Sequence, residues 1–263
     1  MSSSETIVVA AATAPVAWLG CQCVGQPCRP LALIPPGASA HSWEPRPSDL
    51  QALQGATLYL RTGLAFEEGW TPRLASTFPE LSILDLRGGL SLLEPSEKGH
   101  REEADPHVWA SPRAFSEMAE TLAVRWVASR PDDSTRLRRS LPGLRALLSG
   151  LDTLARARLA PFTGRTFLVN HPGLGYLARD YGLVELPLES HGQELTPVTL
   201  FEVRKIARAH GIKAVFVQPE AARRSAEQVA ADLGVPVKEV DLLAPGPFDS
   251  LFRATLETLA GSL

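Results

Sequence analysis

Residues 131–159 read PDDSTRLRRSLPGLRALLSGLDTLARARL, and this stretch decides the fold class. Its leucines recur at the three- and four-residue spacing of a helix. They are Leu137, Leu141, Leu144, Leu147, Leu148, Leu151, Leu154 and Leu159. At about 1.5 Å per residue such a helix is about 40 Å long, enough to run along two lobes. Pro142 lacks a backbone donor, so we expect it to kink the helix or shift its start.

Short apolar runs bounded by glycine, proline or charge lie on both sides of this helix. The predicted strands are Ile7–Ala11, Leu31–Ile34, Thr57–Leu60, Ser82–Asp85, Thr166–Asn170, Lys213–Gln218 and Val237–Asp241. The further predicted helices are Pro47–Gln54, Arg113–Ser129, Gly173–Tyr181, Pro197–His210, Arg224–Leu233 and Phe248–Leu259. Such alternation is typical of a parallel sheet covered on both faces by helices.

We therefore predict an α/β fold of two lobes, each with a parallel sheet flanked by helices, joined by one long rigid interlobe helix. The predicted boundaries are 1–130 for the N-terminal lobe, 131–160 for the interlobe helix and 161–263 for the C-terminal lobe.

The composition of the chain excludes some classes of function. A net charge of −3 gives no support for nucleic-acid binding, which usually needs a basic face. No apolar run reaches the roughly 18–20 residues that a membrane-spanning helix requires. The apolar start resembles a secretion signal, but it lacks a basic segment and contains Pro15. We expect instead a first strand from about Thr6 to Ala11 that leads into a helix, with any export signal outside this sequence.

The three cysteines Cys21, Cys23 and Cys28 lie within eight positions. Their spacing is not a standard zinc motif. The favoured interpretation is small buried side chains with one local disulfide. A thiolate metal site and a membrane anchor at Cys21 are the alternatives.

Three histidines occur in rigid, turn-like contexts that are evenly spaced along the chain. His41 follows Pro35-Pro36-Gly37, His107 lies in the segment DPHVW, and His171 begins the segment HPGLGY. Each is predicted to lie in a loop or turn that leads into a helix. Two of them, His41 and His171, follow the carboxyl end of a predicted strand, where open α/β sheets bind ligands. Three imidazoles brought together by the fold make a good site for zinc or a similar divalent ion.

A closed tetrahedral site needs a fourth ligand. Asp241, at the end of a predicted strand, is our candidate, and Glu44, Glu189 and Glu220 are the competing carboxylates. Asp105 is a candidate acceptor that orients an imidazole.

Three further histidines carry weaker signals. His100 lies in an acidic loop and is predicted to be solvated, and His191 is predicted to lie on a polar surface. His210 precedes Gly211 at a helix C-terminus, where a cation suits the helix dipole, so a structural role is predicted.

Several segments resemble those of the metal-receptor subunits of zinc and manganese ABC importers, which are periplasmic or surface-anchored solute-binding proteins. The matching segments are PPGASAHSWEPRPSD, DPHVWASP, NHPGLGYLARDYGL and VDLL, and the resemblance covers nearly the whole chain. It implies that His41, His107 and His171 are metal ligands, with Asp241 at the family's carboxylate position. The second lobe's first ligand is His or Glu in this family, and His171 favours Zn²⁺, with Mn²⁺ as the alternative.

The chain departs from the family pattern at three places. It has Ala110-Ser111 where members often carry Asp, and Gln218-Pro219 where they commonly show Glu-Pro. The long His-rich loop of many zinc receptors is absent, and only His100 stands in a short loop. Loop-assisted metal capture is therefore not expected.

The resemblance implies a monomeric receptor, periplasmic or surface-anchored, that captures a divalent metal and delivers it to an ABC permease in the membrane. Binding needs neutral imidazoles, so the affinity should fall below about pH 6.5, the ordinary histidine pKa. One alternative is a zinc hydrolase with three histidines and a water, although neither H-E-x-x-H nor a nucleophile elbow is present. The other is a metal-bearing surface adhesin. We expect no enzymatic activity.

Overall fold

The computed structural model describes residues 6–94, 104–190, 193–194, 196–219 and 223–263. A first parallel sheet is built from β1 (Ile7–Ala11), β2 (Cys28–Ala32), β3 (Leu58–Arg61) and β4 (Ser82–Asp85), in the order β2-β1-β3-β4. Its helices are α1 (Ala14–Val24), α2 (Pro47–Ala52), α3 (Ala65–Thr77) and α4 (Pro112–Ser129).

The long helix α5 (Ser134–Leu159) follows a 3₁₀ turn at Pro131–Asp133. It continues through Pro142 without a break. Its buried leucines belong to the main hydrophobic core, where α5 contacts α1 and α4 from the earlier part of the chain and α6 (Gly175–Tyr181) and α9 (Phe248–Ala260) from the later part. The predicted interlobe helix is thereby confirmed.

A second parallel sheet lies beyond α5. It contains β5 (Thr166–Val169), β6 (Val184–Pro187), β9 (Val215–Val217) and β10 (Val237–Glu239) in the order β10-β9-β5-β6. Between β6 and β9 lie a short antiparallel hairpin of β7 (Glu189–Ser190) and β8 (Gln193–Glu194), and helix α7 (Pro197–Ala209). Helices α8 (Arg223–Leu233) and α9 (Phe248–Ala260) complete the chain. When the strands of each sheet are numbered along the chain, both sheets have the order 2-1-3-4. The predicted fold of two parallel sheets flanked by helices is confirmed.

Some predicted bounds differ from the structure. Strand β2 begins at Cys28, because it pairs with β1 from Ile7 onwards, whereas the prediction placed it at Leu31–Ile34. Helix α3 was not predicted, since Gly69 and Pro72 interrupt its pattern. Its N-terminus is held by the Glu67 carboxylate, which accepts hydrogen bonds from three backbone N–H groups.

The C-terminal helix packs back onto the first lobe. Phe248 at its start is fully buried and stacks on Phe115 of α4, with ring centroids 4.1 Å apart, and Trp18 of α1 is 6.0 Å away. The predicted lobe boundaries remain a prediction, and α9, which the prediction assigns to the C-terminal lobe, packs against helices of the first lobe.

A disulfide joins Cys21 in α1 to Cys28 in β2, with the two Cα atoms 5.4 Å apart. Cys23 is free and buried, and burial raises the pKa of its thiol to about 12. The predicted local disulfide is confirmed, and Cys23 is buried as predicted, whereas Cys21 and Cys28 are half-buried. No helix within the described ranges is long and apolar enough to span a membrane.

Candidate metal centre

Three imidazoles from both lobes meet at one point in the cleft. The Nε2 atoms of His41 and His107 are 3.2 Å apart, and those of His107 and His171 are 3.3 Å apart. The ring centroids are separated by 4.9–5.2 Å. His107 and His171 are buried and His41 is half-buried. Among the described residues, only these three form a group able to hold a metal ion.

The His41 turn is built by a short rigid sequence after β2. Gly37 adopts a positive φ of 77°, which favours glycine, and follows two prolines. The backbone N–H of Trp43 donates to the Ser39 carbonyl at 3.0 Å, which closes the turn around His41. The Trp43 ring meets Phe66 edge-on with 4.8 Å between centroids, so the turn is anchored on the first lobe.

The orientation of His107 is set by Asp105. Oδ1 of Asp105 accepts from the backbone N–H of His107 at 2.8 Å and lies 2.7 Å from its Nδ1. This contact places the proton on Nδ1 and leaves Nε2 free to face the other imidazoles. Burial acts to raise the pKa of Asp105, but the neighbouring His107 outweighs it, and the pKa is lowered. Asp105 is therefore a carboxylate that orients a ligand, as predicted.

Glu189 has the same relation to His171 in the second lobe. Its Oε1 forms a short hydrogen bond with Nδ1 of His171, and both residues are buried. Sequence reasoning considered Glu189 only as a competing metal ligand. In the structure, the Glu189 carboxylate contacts Nδ1 of His171, while Nε2 of the same ring faces His107 in the centre. A two-residue strand carries Glu189, and strands of that length give no periodic signal in the sequence.

The turn after His171 is held by a half-buried carboxylate that the sequence did not reveal. Oε1 of Glu185 in β6 accepts from the N–H groups of Gly173 and Leu174 at 3.1 and 2.8 Å. Burial raises the pKa of Glu185 to about 8, and the charge of Asp105 adds to this rise. Gly175 allows the lobes to approach, because a Cβ there would lie 3.0 Å from Oδ2 of Asp105.

Asp241 was predicted to end a strand, and in the structure it lies two residues after the end of β10 at Glu239. Its Oδ1 accepts from the backbone N–H groups of Leu243 and Ala244, both at 2.8 Å. Asp241 is not in the three-histidine group as the described residues are arranged, and its role as fourth ligand remains a prediction. Of the competing carboxylates, Glu44 is exposed.

The remaining candidates fall into two sets. His210 caps the C-terminus of α7, and its Nδ1 is 3.1 Å from the Thr166 hydroxyl, in agreement with a structural role. Glu220, His100 and His191 lie outside the described residues.

Hydrogen bonds between the lobes surround the centre. Ser111 caps α4 and also donates to Oδ2 of Asp180 in α6 at 2.5 Å. Arg179, which pairs with Asp180, donates to the Ser91 carbonyl of the first lobe. Ser111 therefore links the start of α4 to an aspartate on the opposite lobe.

Three neutral imidazoles favour a borderline first-row ion such as zinc. Their Nε2 atoms converge from two lobes, and each buried ring has a carboxylate on its Nδ1. The centre is therefore chemically suited to bind a divalent cation.

Comparisons with known proteins agree with this reading. Residues 9–261 match the family model described as "Zinc-uptake complex component A periplasmic". The high-affinity zinc uptake system protein ZnuA of Bacillus subtilis is 27% identical over 225 residues, covering 80% of this chain and 70% of that protein. The iron-binding protein YfeA of Yersinia pestis is 27% identical over 242 residues, covering 87% and 77%. A crystal structure of ZnuA superposes with a TM-score of 0.89 at 29% identity, covering 98% of this chain and 99% of the other.

Proposed function

Because this chain belongs to the family of periplasmic zinc-uptake components, we propose that it captures zinc in the cleft and delivers it to an ABC-type permease. Members of this family act outside the cytoplasm, and their task is metal transport. The observation that carries the proposal is the convergence of three Nε2 atoms from two lobes, with 3.2 and 3.3 Å between neighbours. We expect the chain to act as a monomer.

The proposed ligands are His41, His107 and His171, with Asp241 as the carboxylate from the second lobe. Both buried imidazoles are held with Nε2 toward the cleft, which supports direct coordination by these atoms. Asp241 has Oδ2 outside the two backbone hydrogen bonds that engage Oδ1. In the proposed metal-bound state, Oδ2 supplies the fourth ligand.

Zinc is the proposed cargo, because an all-imidazole triad suits zinc better than a hard ion such as manganese. Zinc also exceeds manganese in affinity at most nitrogen sites, so affinity alone is a weak guide to the cargo in the cell. The proposed order at this site is zinc tightest, then iron, then manganese.

Calorimetric titration of the purified protein, stripped of metal, tests the site. The wild type should bind one zinc ion, and the His171→Ala variant should lose most of its affinity. His210→Ala is the matched control, because His210 is a histidine of the same lobe that caps a helix away from the centre. Unchanged stoichiometry and affinity in His171→Ala would refute the site.

A second measurement separates transport from the alternatives. Cellular zinc uptake at low external zinc should depend on this protein and fail in cells that carry only His171→Ala. A surface adhesin that merely contains the metal would leave uptake unchanged, and a hydrolase would do the same. Uptake that persists without the protein would therefore reject the transport role.

A further inference from the structure

The hydroxyl of Tyr176, in the second lobe, forms hydrogen bonds with two residues of the first lobe near the metal centre. The Tyr176 side chain, on α6, is completely buried. Its hydroxyl donates to the Asp105 carbonyl at 2.8 Å and accepts from the N–H of Leu93 at 3.2 Å. The N–H of Asp105 in turn donates to the Leu93 carbonyl at 2.9 Å. These hydrogen bonds join Leu93 and Asp105, which lie 12 positions apart in the chain, to one another and to Tyr176.

The same residue, Asp105, orients His107. Its carboxylate contacts both the backbone N–H and Nδ1 of His107, at 2.8 and 2.7 Å. A change in the backbone position of Asp105 therefore changes the direction of the Nε2 lone pair of His107. Because α6 begins four residues after His171, Tyr176 moves with the second lobe.

We propose that Tyr176 is a positioning residue that makes the orientation of His107 depend on the approach of the two lobes. With the lobes together, the hydroxyl fixes Asp105, and Asp105 fixes the imidazole. When the lobes separate, the hydroxyl leaves Asp105 and Leu93, and His107 loses its rigid support as the cleft opens. The inference rests on the proposed metal-binding function. It adds that opening of the cleft weakens metal binding by His107, a ligand in the first lobe.

The Tyr176→Phe variant tests this link, since it removes one oxygen and keeps the buried ring. Outer groups that orient metal-bound histidines typically contribute ten- to hundredfold to affinity, and we expect a loss of about tenfold here. Zinc dissociation should accelerate by a similar factor. Affinity is measured by competition with a chromophoric zinc chelator, and dissociation by stopped-flow with excess chelator.

Tyr181→Phe is the matched control. Tyr181 lies on the same helix, is also buried, and donates its hydroxyl to Asp152 of α5 at 3.2 Å, away from the centre. Both variants lose one buried hydroxyl, so both are expected to lower the melting temperature of the metal-free protein. Only Tyr176→Phe should also reduce the additional rise in melting temperature that zinc produces.

A double-mutant cycle with Asp105→Ala distinguishes positioning from a general loss of stability. If the hydroxyl acts through Asp105, adding Tyr176→Phe to Asp105→Ala should cause little further loss of zinc affinity. An equal loss in both backgrounds would overturn the inference, as would an affinity of Tyr176→Phe within twofold of Tyr181→Phe. If the wild type binds zinc and His171→Ala does not, the proposed metal-binding function stands, whatever the result for Tyr176→Phe. A wild type that binds no zinc would reject the proposed function and this inference together.

Discussion

The Glu189→Gln substitution should weaken zinc binding without removing a metal ligand. The Glu189 carboxylate contacts Nδ1 of His171, and both side chains are more than 90% buried, so water does not replace the lost interaction. The glutamine amide has the same size but no charge, and it can also present its NH₂ group, which favours the tautomer with the proton on Nε2. That tautomer has no lone pair for the metal.

The magnitude follows from the chemistry of this contact. A hydrogen bond to a charged group contributes about 1.5–3 kcal/mol, which corresponds to a loss of affinity of roughly tenfold to hundredfold. The same range is found for other groups that orient metal-bound histidines, about 10- to 100-fold. We expect the enthalpy of zinc binding to become less favourable while the stoichiometry stays at one ion.

The assay is competition with a chromophoric chelator at pH 7.5, supported by calorimetry. Glu44→Gln is the control. Glu44 lies three residues after His41 and is exposed, so this variant measures the effect of removing a negative charge near the cleft. It should bind zinc within about twofold of wild type, as exposed charges interact weakly across water. An affinity of Glu189→Gln that matches Glu44→Gln would refute the reasoning that the carboxylate orients His171.

Two further predictions concern the other carboxylates of the second lobe. Asp241→Asn keeps an oxygen for the N–H groups of Leu243 and Ala244 but removes the charge, so zinc affinity should fall at least about tenfold if Asp241 is the fourth ligand; an unchanged calorimetric affinity would exclude it. Burial raises the pKa of Glu185 to about 8 from an ordinary value of 4.5. Between these two values the folded protein holds a proton that the unfolded chain releases. The free energy of unfolding therefore falls as the pH rises from 4.5 to about 8. Glu185→Gln lacks this titration, and its stability relative to wild type should increase between pH 5 and pH 8 by up to a few kcal/mol in urea unfolding; an equal difference at both pH values would contradict the shift.

Much of the fold was accessible from the sequence because its signals are local. The leucine spacing in residues 131–159 marks the long helix, and Ser111-Pro112 marks the start of α4, where the structure finds Ser111 as a capping acceptor. Alternation of apolar runs with helical stretches marks the two parallel sheets. Helix α3 was missed for an equally local reason, because Gly69 and Pro72 break its apolar pattern. Its start is held by Glu67, whose carboxylate also accepts a hydrogen bond from the Tyr59 hydroxyl.

Some residues of the candidate site were recognisable from the sequence, and others were found only in the structure. His41, His107 and His171 were recognisable because each stands in a turn enriched in proline or glycine, and Asp105 stands two residues from the imidazole that it orients. Glu185 and Glu189 gave no such signal. They lie far along the chain from the first lobe, and only the pairing of β6 with β5 brings them beside the His171 turn.

By itself, the sequence determined the type of elements, the two-lobe arrangement around one helix, and the histidines able to bind a metal. Only the tertiary structure decided that Glu189 orients His171, how α9 packs on the first lobe, and how Tyr176 reaches Asp105 across the cleft. The physical reason is the range of the interactions. Helix periodicity and turn chemistry act over a few residues, whereas the hydrogen bonds that orient His171 and that join Tyr176 to the first lobe link residues 18 to 83 positions apart in the chain.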